Sequence, residues 1–221
     1  MISVIIAAKN ASKYIREAIE SVQNQSMKDI EIIVVCDSCT DNTKQIAQGL
    51  GCKTIEVNFS HIGKTRNAGL KEAKGEYILC VDSDDVMEKD GILNLYNEFL
   101  KDNALEAVFG MSQEFVSPEL SDADKAKLKA RPDNYFGALA GCAIIKKEVF
   151  DKVGTFDEAL KAGDIVEFQI RLQQKNIKIK KIPVVTSNRR LHNNNFGRTN
   201  KQQEYKDYIT ILRNKLNKKQ I

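Results

Sequence analysis

The sequence predicts an α/β fold, Rossmann-like, with a mostly parallel sheet covered by helices on both faces. Three observations predict it. The runs at residues 3–8, 31–36 and 77–81 are apolar throughout and too short for helices, as strands buried on both faces are. Segments of helical period separate them, so strand and helix alternate. The chain has 221 residues, 42% of them hydrophobic, enough for one α/β domain with a full core and too apolar for a disordered chain.

The elements follow in order. Ser3–Ala8 is a β-branched strand. Ser12 then stands as the cap of a helix with Tyr14, Ile15, Ala18, Ile19 and Val22 on one face. Glu31–Cys36 is a buried strand, and Asp41 and Asn42 cap a helix that ends near Gly49 and Gly51. Lys53–Val57 is a strand, Ile62–Ala73 a helix closed by Gly75, and Tyr77–Val81 a fourth strand. Asp90–Lys101 is a helix and Leu105–Phe109 a fifth strand. Residues 111–135 break the rhythm: Ser117–Arg131, polar and Ala-rich and bracketed by Pro118 and Pro132, reads as a surface excursion. A strand at Gly141–Ile145, a helix at Asp164–Lys175, a strand at Ile177–Val185, a loop at His192–Thr199 and an amphipathic helix at Glu204–Leu216 complete the chain.

Composition excludes several classes. No apolar run approaches the roughly 20 residues that span a bilayer, and Met1 runs straight into Ile2–Ile6 without a basic leader. Five cysteines, an odd number, make a poor disulfide framework and fit a reducing compartment. Cys36 and Cys39 form C-x-x-C, but no second pair stands nearby to complete a zinc site. The segment reads as a tight turn rather than a redox pair, because no helix opens directly behind it. The formal charge is +4, and residues 200–221 alone carry six basic and two acidic side chains, a difference of +4, so the remainder balances to zero. A basic tail of this kind (Lys201, Lys206, Arg213, Lys215, Lys218, Lys219) is not a nucleic-acid reading surface. It suits a solvated helix or a peripheral contact with an anionic membrane. The expectation is a cytoplasmic chain without nucleic-acid partners, with the inner face of a membrane as the place for that contact.

In a parallel sheet, ligands bind beyond the carboxyl ends of the strands, so the residues after Ala7, Cys36, Val57 and Val81 matter most. Asp82-Ser83-Asp84-Asp85 follows the fourth strand. Continued strand alternation puts Asp82 and Asp84 on one face, where two carboxylates repel unless a cation or a proton lies between them. Mg²⁺ or Mn²⁺, held by one or two carboxylates and a diphosphate, meets that need; an acidic loop capping the next helix is the simpler reading. Gly63-Lys64-Thr65 resembles a phosphate-binding loop, but the glycine such a loop requires is Asn58 here, so a nucleotide-triphosphatase loop fails on spacing. Lys64 and Arg66 remain at a helix head suited to negative charge. Asp37, just past the second strand, is placed to accept from a nucleotide's ring N–H or ribose hydroxyl.

Taken together, these segments resemble family-2 glycosyltransferases, inverting enzymes of the GT-A fold, from Ser3 to about Thr199. Ser3–Asn10 is similar to the family's opening strand, with Ala7 and Lys9 in place of its proline and aromatic residue. Ala18–Gln25 is similar to its S-V-x-x-Q helix, and Cys36–Asp41 to D-D-G-S-T-D with Cys36 replacing the first acid. Gly63–Gly69, Gly75–Asp85 and Gly141–Asp157 are similar to its R-N-x-G, metal-binding and acceptor-side segments.

The resemblance implies roles. Asp37 and Arg66 would contact the base, with Ala7, Ala8 and Lys9 lining its pocket. Lys64, Asp82 and Ser83 would stand near ribose and diphosphate, and Asp84 with His192 would hold Mn²⁺ or Mg²⁺. Asp164, which opens a helix ahead of Glu167 and Arg171, would be the catalytic base, with Gly163 replacing the expected glutamate. The implied domain spans residues 1–199, a nucleotide half to about 110 and an acceptor half beyond, with 200–221 as a basic terminal helix. Residues 111–135 and 186–200 would be lids. The implied reaction moves a sugar from a nucleotide-sugar donor, a UDP-sugar by expectation, to a saccharide, lipid-linked or protein acceptor. Two alternatives stand beside it: a non-catalytic sugar-nucleotide binding module, suggested by Ala7, Cys36 and Gly163, and a sugar nucleotidyltransferase, against which the glycine-free segment 7–12 argues.

Overall fold

The computed structural model describes residues 1–137, 140–195, 199 and 201–217; Lys218 and Lys219 of the basic tail lie outside them. The order is β1 (Ile2–Ala8), α1 (Ile15–Gln23), β2 (Ile30–Asp37), α2 (Thr43–Gly49), β3 (Lys53–Val57), α3 (Ile62–Glu72), β4 (Tyr77–Asp82), β5 (Val86–Met87), α4 (Gly91–Lys101) and β6 (Ala107–Val116). Then come α5 (Asp122–Lys125), β7 (Tyr135–Phe136), β8 (Ala143–Lys146), α6 (Glu148–Val153), α7 (Asp164–Gln174), β9 (Ile179–Leu191) and α8 (Lys201–Asn217). The strands form one sheet in the order β3-β2-β1-β4-β8-β6-β9-β5, with β7 on β6.

The pairs β1–β2, β1–β4, β2–β3 and β6–β9 are parallel, while β8 lies antiparallel between β4 and β6. The sheet is thus mostly parallel, and it runs unbroken across residue 110. Alternation along β1 divides the core. Ile2, Val4, Ile6 and Ala8 pack with Ile15 and Ile19 of α1 and Ile92 and Leu95 of α4. Ile5 faces the other way, with Leu70 of α3, Phe150 of α6 and Phe168 of α7. Each such side chain, fully removed from water, contributes on the order of 1.5–3 kcal/mol.

Three expectations need correction. Ser12 does not cap α1, which opens at Tyr14 without a side-chain cap; the amide of Ser12 is instead held by Asp41 Oδ2 at 2.9 Å. Asp41 Oδ1 also accepts from Thr43 N–H at 3.0 Å, so one carboxylate ties the β1–α1 loop to the head of α2. The fifth strand does not end at Phe109: β6 continues to Val116 because β9 pairs with it as far as Leu191. The same pairing makes residues 186–191 strand rather than lid.

Helix α3 lies close on the sheet at Gly69, where an added Cβ would stand 2.4 Å from Ile5 Cγ2 and 3.1 Å from Val35 Cγ2. Gly69→Ala gains helix propensity of about 1 kcal/mol but overpacks β-branched neighbours at a cost of about 1–3 kcal/mol. The expected net result is a Tm lower by a few degrees, read by thermal unfolding; an unchanged or higher Tm would show that α3 can lift off the sheet without loss.

Candidate active site

The carboxyl ends of β1, β2 and β4 are level: Ala7 is in register with Asp82, and Ala8 with Cys36. The loops after β1, β2 and β3 hold three non-glycine residues in the left-handed region, Asn10 (φ 49°), Ser38 (φ 54°) and Ser60 (φ 48°). Such conformations cost about 1–3 kcal/mol each and persist where the surroundings hold them. Here the holding groups are visible. Asn10 Oδ1 accepts from Thr40 N–H at 2.8 Å, Ser38 Oγ donates to Asn58 Oδ1 at 2.7 Å, and Lys9 Nζ donates to Ser60 Oγ at 2.9 Å. Ala7 and Ala8 are buried at the strand tip, while Lys9 is exposed.

Asp37 organises this edge. Its Oδ1 accepts from the amides of Phe59 and Ser60, each at 2.8 Å, and from Ser38 Oγ at 2.9 Å. Its Oδ2 accepts from His61 N–H at 2.9 Å and Thr65 Oγ1 at 2.7 Å. Burial pushes its pKa up, but the Thr65 hydroxyl and the His61 and Ser60 amides outweigh burial and hold it at about 2. Both oxygens thus serve the β3–α3 loop and the head of α3.

Arg66 is buried and joins two acids. Its Nη2 meets Asp82 Oδ1 at 3.0 Å and its Nη1 meets Asp164 Oδ2 at 2.5 Å, with the Phe156 ring 5.8 Å from the guanidinium. Burial works against the charged guanidinium, but Asp164 and Asp82 prevail and raise its pKa. Its two terminal nitrogens both face protein carboxylates. Asp164, 2% exposed, opens α7 as the sequence predicts.

The acidic segment does not continue the strand. Asp85 N–H closes a turn on Asp82 C=O at 3.2 Å, so the alternation meant to put Asp82 and Asp84 on one face ends at Asp82. The three carboxylates reach different partners: Asp82 meets Arg66, Asp84 Oδ2 meets His192 Nε2 at 2.8 Å and Asn195 Nδ2 at 3.2 Å, and buried Asp85 accepts from Arg190 N–H at 2.9 Å. Asp82 is raised above the usual carboxylate range, by desolvation first, with Arg66 opposing and Asp84 adding. Asp85 is raised further by burial and then by Asp82 and Asp84. Ser83 sits in the turn, and Lys64 is half-buried at the head of α3.

Strand β9 brings in Arg190, whose partners the sequence does not announce. Arg190 is 2% exposed between the rings of Tyr14 and Phe115, its guanidinium 5.0 and 4.7 Å from their centroids. It donates to Asp84 C=O at 2.9 Å, Ser117 Oγ at 3.2 Å and Glu17 Oε2 at 2.5 Å. The Tyr14 ring lies 4.7 Å from that of His192, and its hydroxyl reaches Glu119 Oε1 at 2.7 Å. The hydrogen-bond partners of Arg190 lie 73 to 173 residues from it in the chain, and no local spacing announces them.

Asp84 is a part-buried carboxylate of the kind a hard divalent cation takes, but the turn leaves Asp82 facing Arg66 rather than Asp84. His192 fits less well as a ligand. Its Nδ1 faces Asn194 N–H at 3.2 Å, which leaves the ring proton on Nε2, pointing at Asp84. A metal-bound imidazole donates from its other nitrogen, and here that nitrogen meets a donor. Among the described residues no group of three His, Cys, Asp or Glu side chains could hold a metal ion, so any ion would need ligands from a bound diphosphate or water.

Comparison with known proteins adds the lineage. The sequence model described as glycosyl transferase family 2 matches residues 3–154. The glycosyltransferase GlyG of Streptococcus pneumoniae serotype 4 is 34% identical over 178 residues, 69% of this chain and 59% of that protein. The chondroitin synthase of Pasteurella multocida is 26% identical over the whole chain, which spans 24% of it. The chain therefore covers less than two thirds of the length of these relatives. Among solved structures, S. aureus TarS superposes with a TM-score of 0.70 at 24% identity, covering 86% of this chain and 36% of that one. TarS 1–349 in complex with UDP-GlcNAc gives 0.68 at 23% identity, covering 88% of this chain and 59% of that one. At that identity the likeness speaks to the fold.

The Asp37 network generates a pH prediction. A carboxylate at about 2 in the folded chain, against an ordinary 3.8, stabilises the fold fully above pH 4 and loses that contribution as the pH falls through 2. Asp37→Asn is expected to be about 2 kcal/mol less stable than the parent at pH 7, with the gap closing near pH 2. Urea midpoints at both pH values check this; a gap that does not change with pH would mean lost packing rather than a lost charge.

Proposed function

The chain belongs to glycosyl transferase family 2, and from that premise we propose that it transfers a sugar from a nucleotide-sugar donor to an acceptor hydroxyl, with inversion and with a divalent cation. The observation that carries the reading is the convergence of Arg66, Asp82, Asp84 and Asp164 at the carboxyl edge of a mostly parallel sheet. UDP-sugars are the donor class we favour, supported by the fold shared with TarS, whose structures include UDP and UDP-GlcNAc complexes.

In this reading Ala7, Ala8 and Lys9 line the nucleoside pocket, while Lys64, Asp82 and Ser83 face ribose and diphosphate. Asp37 acts through the loop it holds rather than by direct contact. Asp84 is the protein ligand of Mg²⁺ or Mn²⁺, and His192 orients it by hydrogen bond. When bound, the ion neutralises the charge that builds on the departing nucleoside diphosphate. Asp164 takes the acceptor's proton. Its Oδ2 is held by Arg66, which leaves Oδ1 for the hydroxyl and fixes the direction of approach. Much of the acceleration then comes from holding donor and acceptor in line with water excluded.

The terminal helix supports a peripheral membrane contact. Tyr205, Ile209 and Leu212 are exposed, at spacings that share one face, and Lys201, Lys206 and Arg213 flank them. Among the described residues no helix is long and apolar enough to cross a membrane. Co-sedimentation with anionic vesicles, lost in neutral vesicles and in Ile209→Asp, is the expected result.

The transfer is tested by UDP release from a panel of UDP-sugars with Mn²⁺. Asp84→Ala is expected to keep its Tm and lose at least a hundredfold in kcat, and Asp164→Asn to bind UDP normally and transfer nothing measurable. Undiminished Mn²⁺-dependent turnover in the first variant would remove the metal assignment. Binding without turnover in the parent chain would favour a non-catalytic module, and pyrophosphate release from UTP a nucleotidyltransferase.

A further inference from the structure

Helix α7 begins on a residue that cannot cap it. Gly163 stands at the cap position without a side chain, although the amides at a helix head need acceptors. A carboxylate from α8 holds the two amides that lead into the helix. Asp207 Oδ2 accepts from Ala162 N–H at 2.7 Å and Gly163 N–H at 3.3 Å, while its Oδ1 accepts from Gln203 Nε2 at 2.8 Å. Asp207 and Ile211 are each 5% exposed, so this face of α8 is seated on the chain's own domain.

The seat is shaped for a glycine. A Cβ on Gly163 would stand 2.8 Å from Ile211 Cδ1 and 3.2 Å from Asp207 Cβ. The residue that departs from the family's pattern is thus the one over which α8 lies. The next residue is Asp164, and from the other side α3 closes on it: a Cβ on Gly63 would be 3.6 Å from Asp164 Cβ, and Arg66 holds its Oδ2. The carboxylate is gripped between α3 and a helix head that α8 fixes.

We propose that Asp207 is a positioning residue for Asp164, acting from the C-terminal helix through the amides of Ala162 and Gly163. The proposal rests on the reading of Asp164 as the base. The rest of α7 has independent anchors: Phe168 and Leu172 are fully buried, and Arg171 donates to Val153 C=O at 2.6 Å and Thr155 C=O at 2.7 Å. Loss of Asp207 therefore frees the first turn and leaves the helix in place. Asparagine at 207 keeps an oxygen for the two amides, and Gln203 can turn its own amide to match.

The test compares Asp207→Ala and Asp207→Asn with the parent chain. Three quantities are read: UDP affinity with Mn²⁺ by calorimetry, kcat and KM for the UDP-sugar that the parent turns over, and amide exchange at residues 162–167 without donor. The expected result is a kcat lower by about 10- to 100-fold in Asp207→Ala, the loss a displacement of about an ångström brings. UDP affinity and donor KM stay unchanged, exchange is faster at residues 162–167 alone, and Asp207→Asn restores most of the rate. An unchanged kcat in Asp207→Ala overturns the proposal. So does a loss of UDP binding or of the cooperative fold that asparagine does not repair, which would make the contact structural. Failure of the underlying reading looks different: full transfer by Asp164→Asn would remove the base assignment, while amide exchange would still report whether Asp207 holds the head of α7.

Discussion

The site depends on one buried cation. Arg66 lies under the surface with a carboxylate on each terminal nitrogen, Asp82 at the tip of β4 and Asp164 at the head of α7. Removing a guanidinium from such a place leaves buried negative charge uncompensated, a loss of about 3–5 kcal/mol where comparable pairs are broken. Two carboxylates share the guanidinium's one positive charge, and Arg190 lies across the backbone of Asp84, so acidic and basic groups are interleaved along this edge. Arg66 itself is not free to receive the phosphates.

A second constraint comes from the far end of the chain. Pairing of β9 with β6 carries Arg190 and His192 to the acidic turn, and Arg190, sandwiched by Tyr14 and Phe115, clamps the backbone of Asp84. The turn that would present a metal ligand is thereby built from three distant parts: the end of β4, the loop after β1 and the end of β9. Mobility expected of residues 186–200 is incompatible with six of them lying in a long, paired strand.

How much of this was legible in the sequence depends on range. Strands such as Lys53–Val57 and helices such as Asp164–Gln174 announce themselves, because apolar runs and helical periods are local. The continuation of β6 to Val116 was hidden, since its second half is polar and exists as strand only by pairing with β9. Asp37, Asp82, Asp84 and Asp164 stand out in the sequence, but their partners do not. The sequence cannot say that Asp37 turns to five donors, four of them from residues 59–65, or that Arg66 faces two acids. A turn at Ser83, closed by a single backbone hydrogen bond, was enough to defeat the alternation rule for Asp82 and Asp84.

The departures from the family's pattern can now be weighed one by one. Lys9, where an aromatic residue is usual, reaches across to Ser60 and helps hold a left-handed residue. Cys36, where an acid is usual, is a core residue whose thiol burial pushes up to about 12, and its neighbour Asp37 organises the loop without it. Gly163, where a glutamate is usual, leaves room for α8, which returns a carboxylate to the same helix head in the form of Asp207. Two of these departures, Lys9 and Gly163, are matched by contacts within this chain. None of them touches Asp84 or Asp164, on which the proposed reaction rests. Of the three positions that suggest a non-catalytic module, Ala7 and Cys36 are buried core residues and Gly163 is the seat of α8, so packing accounts for each.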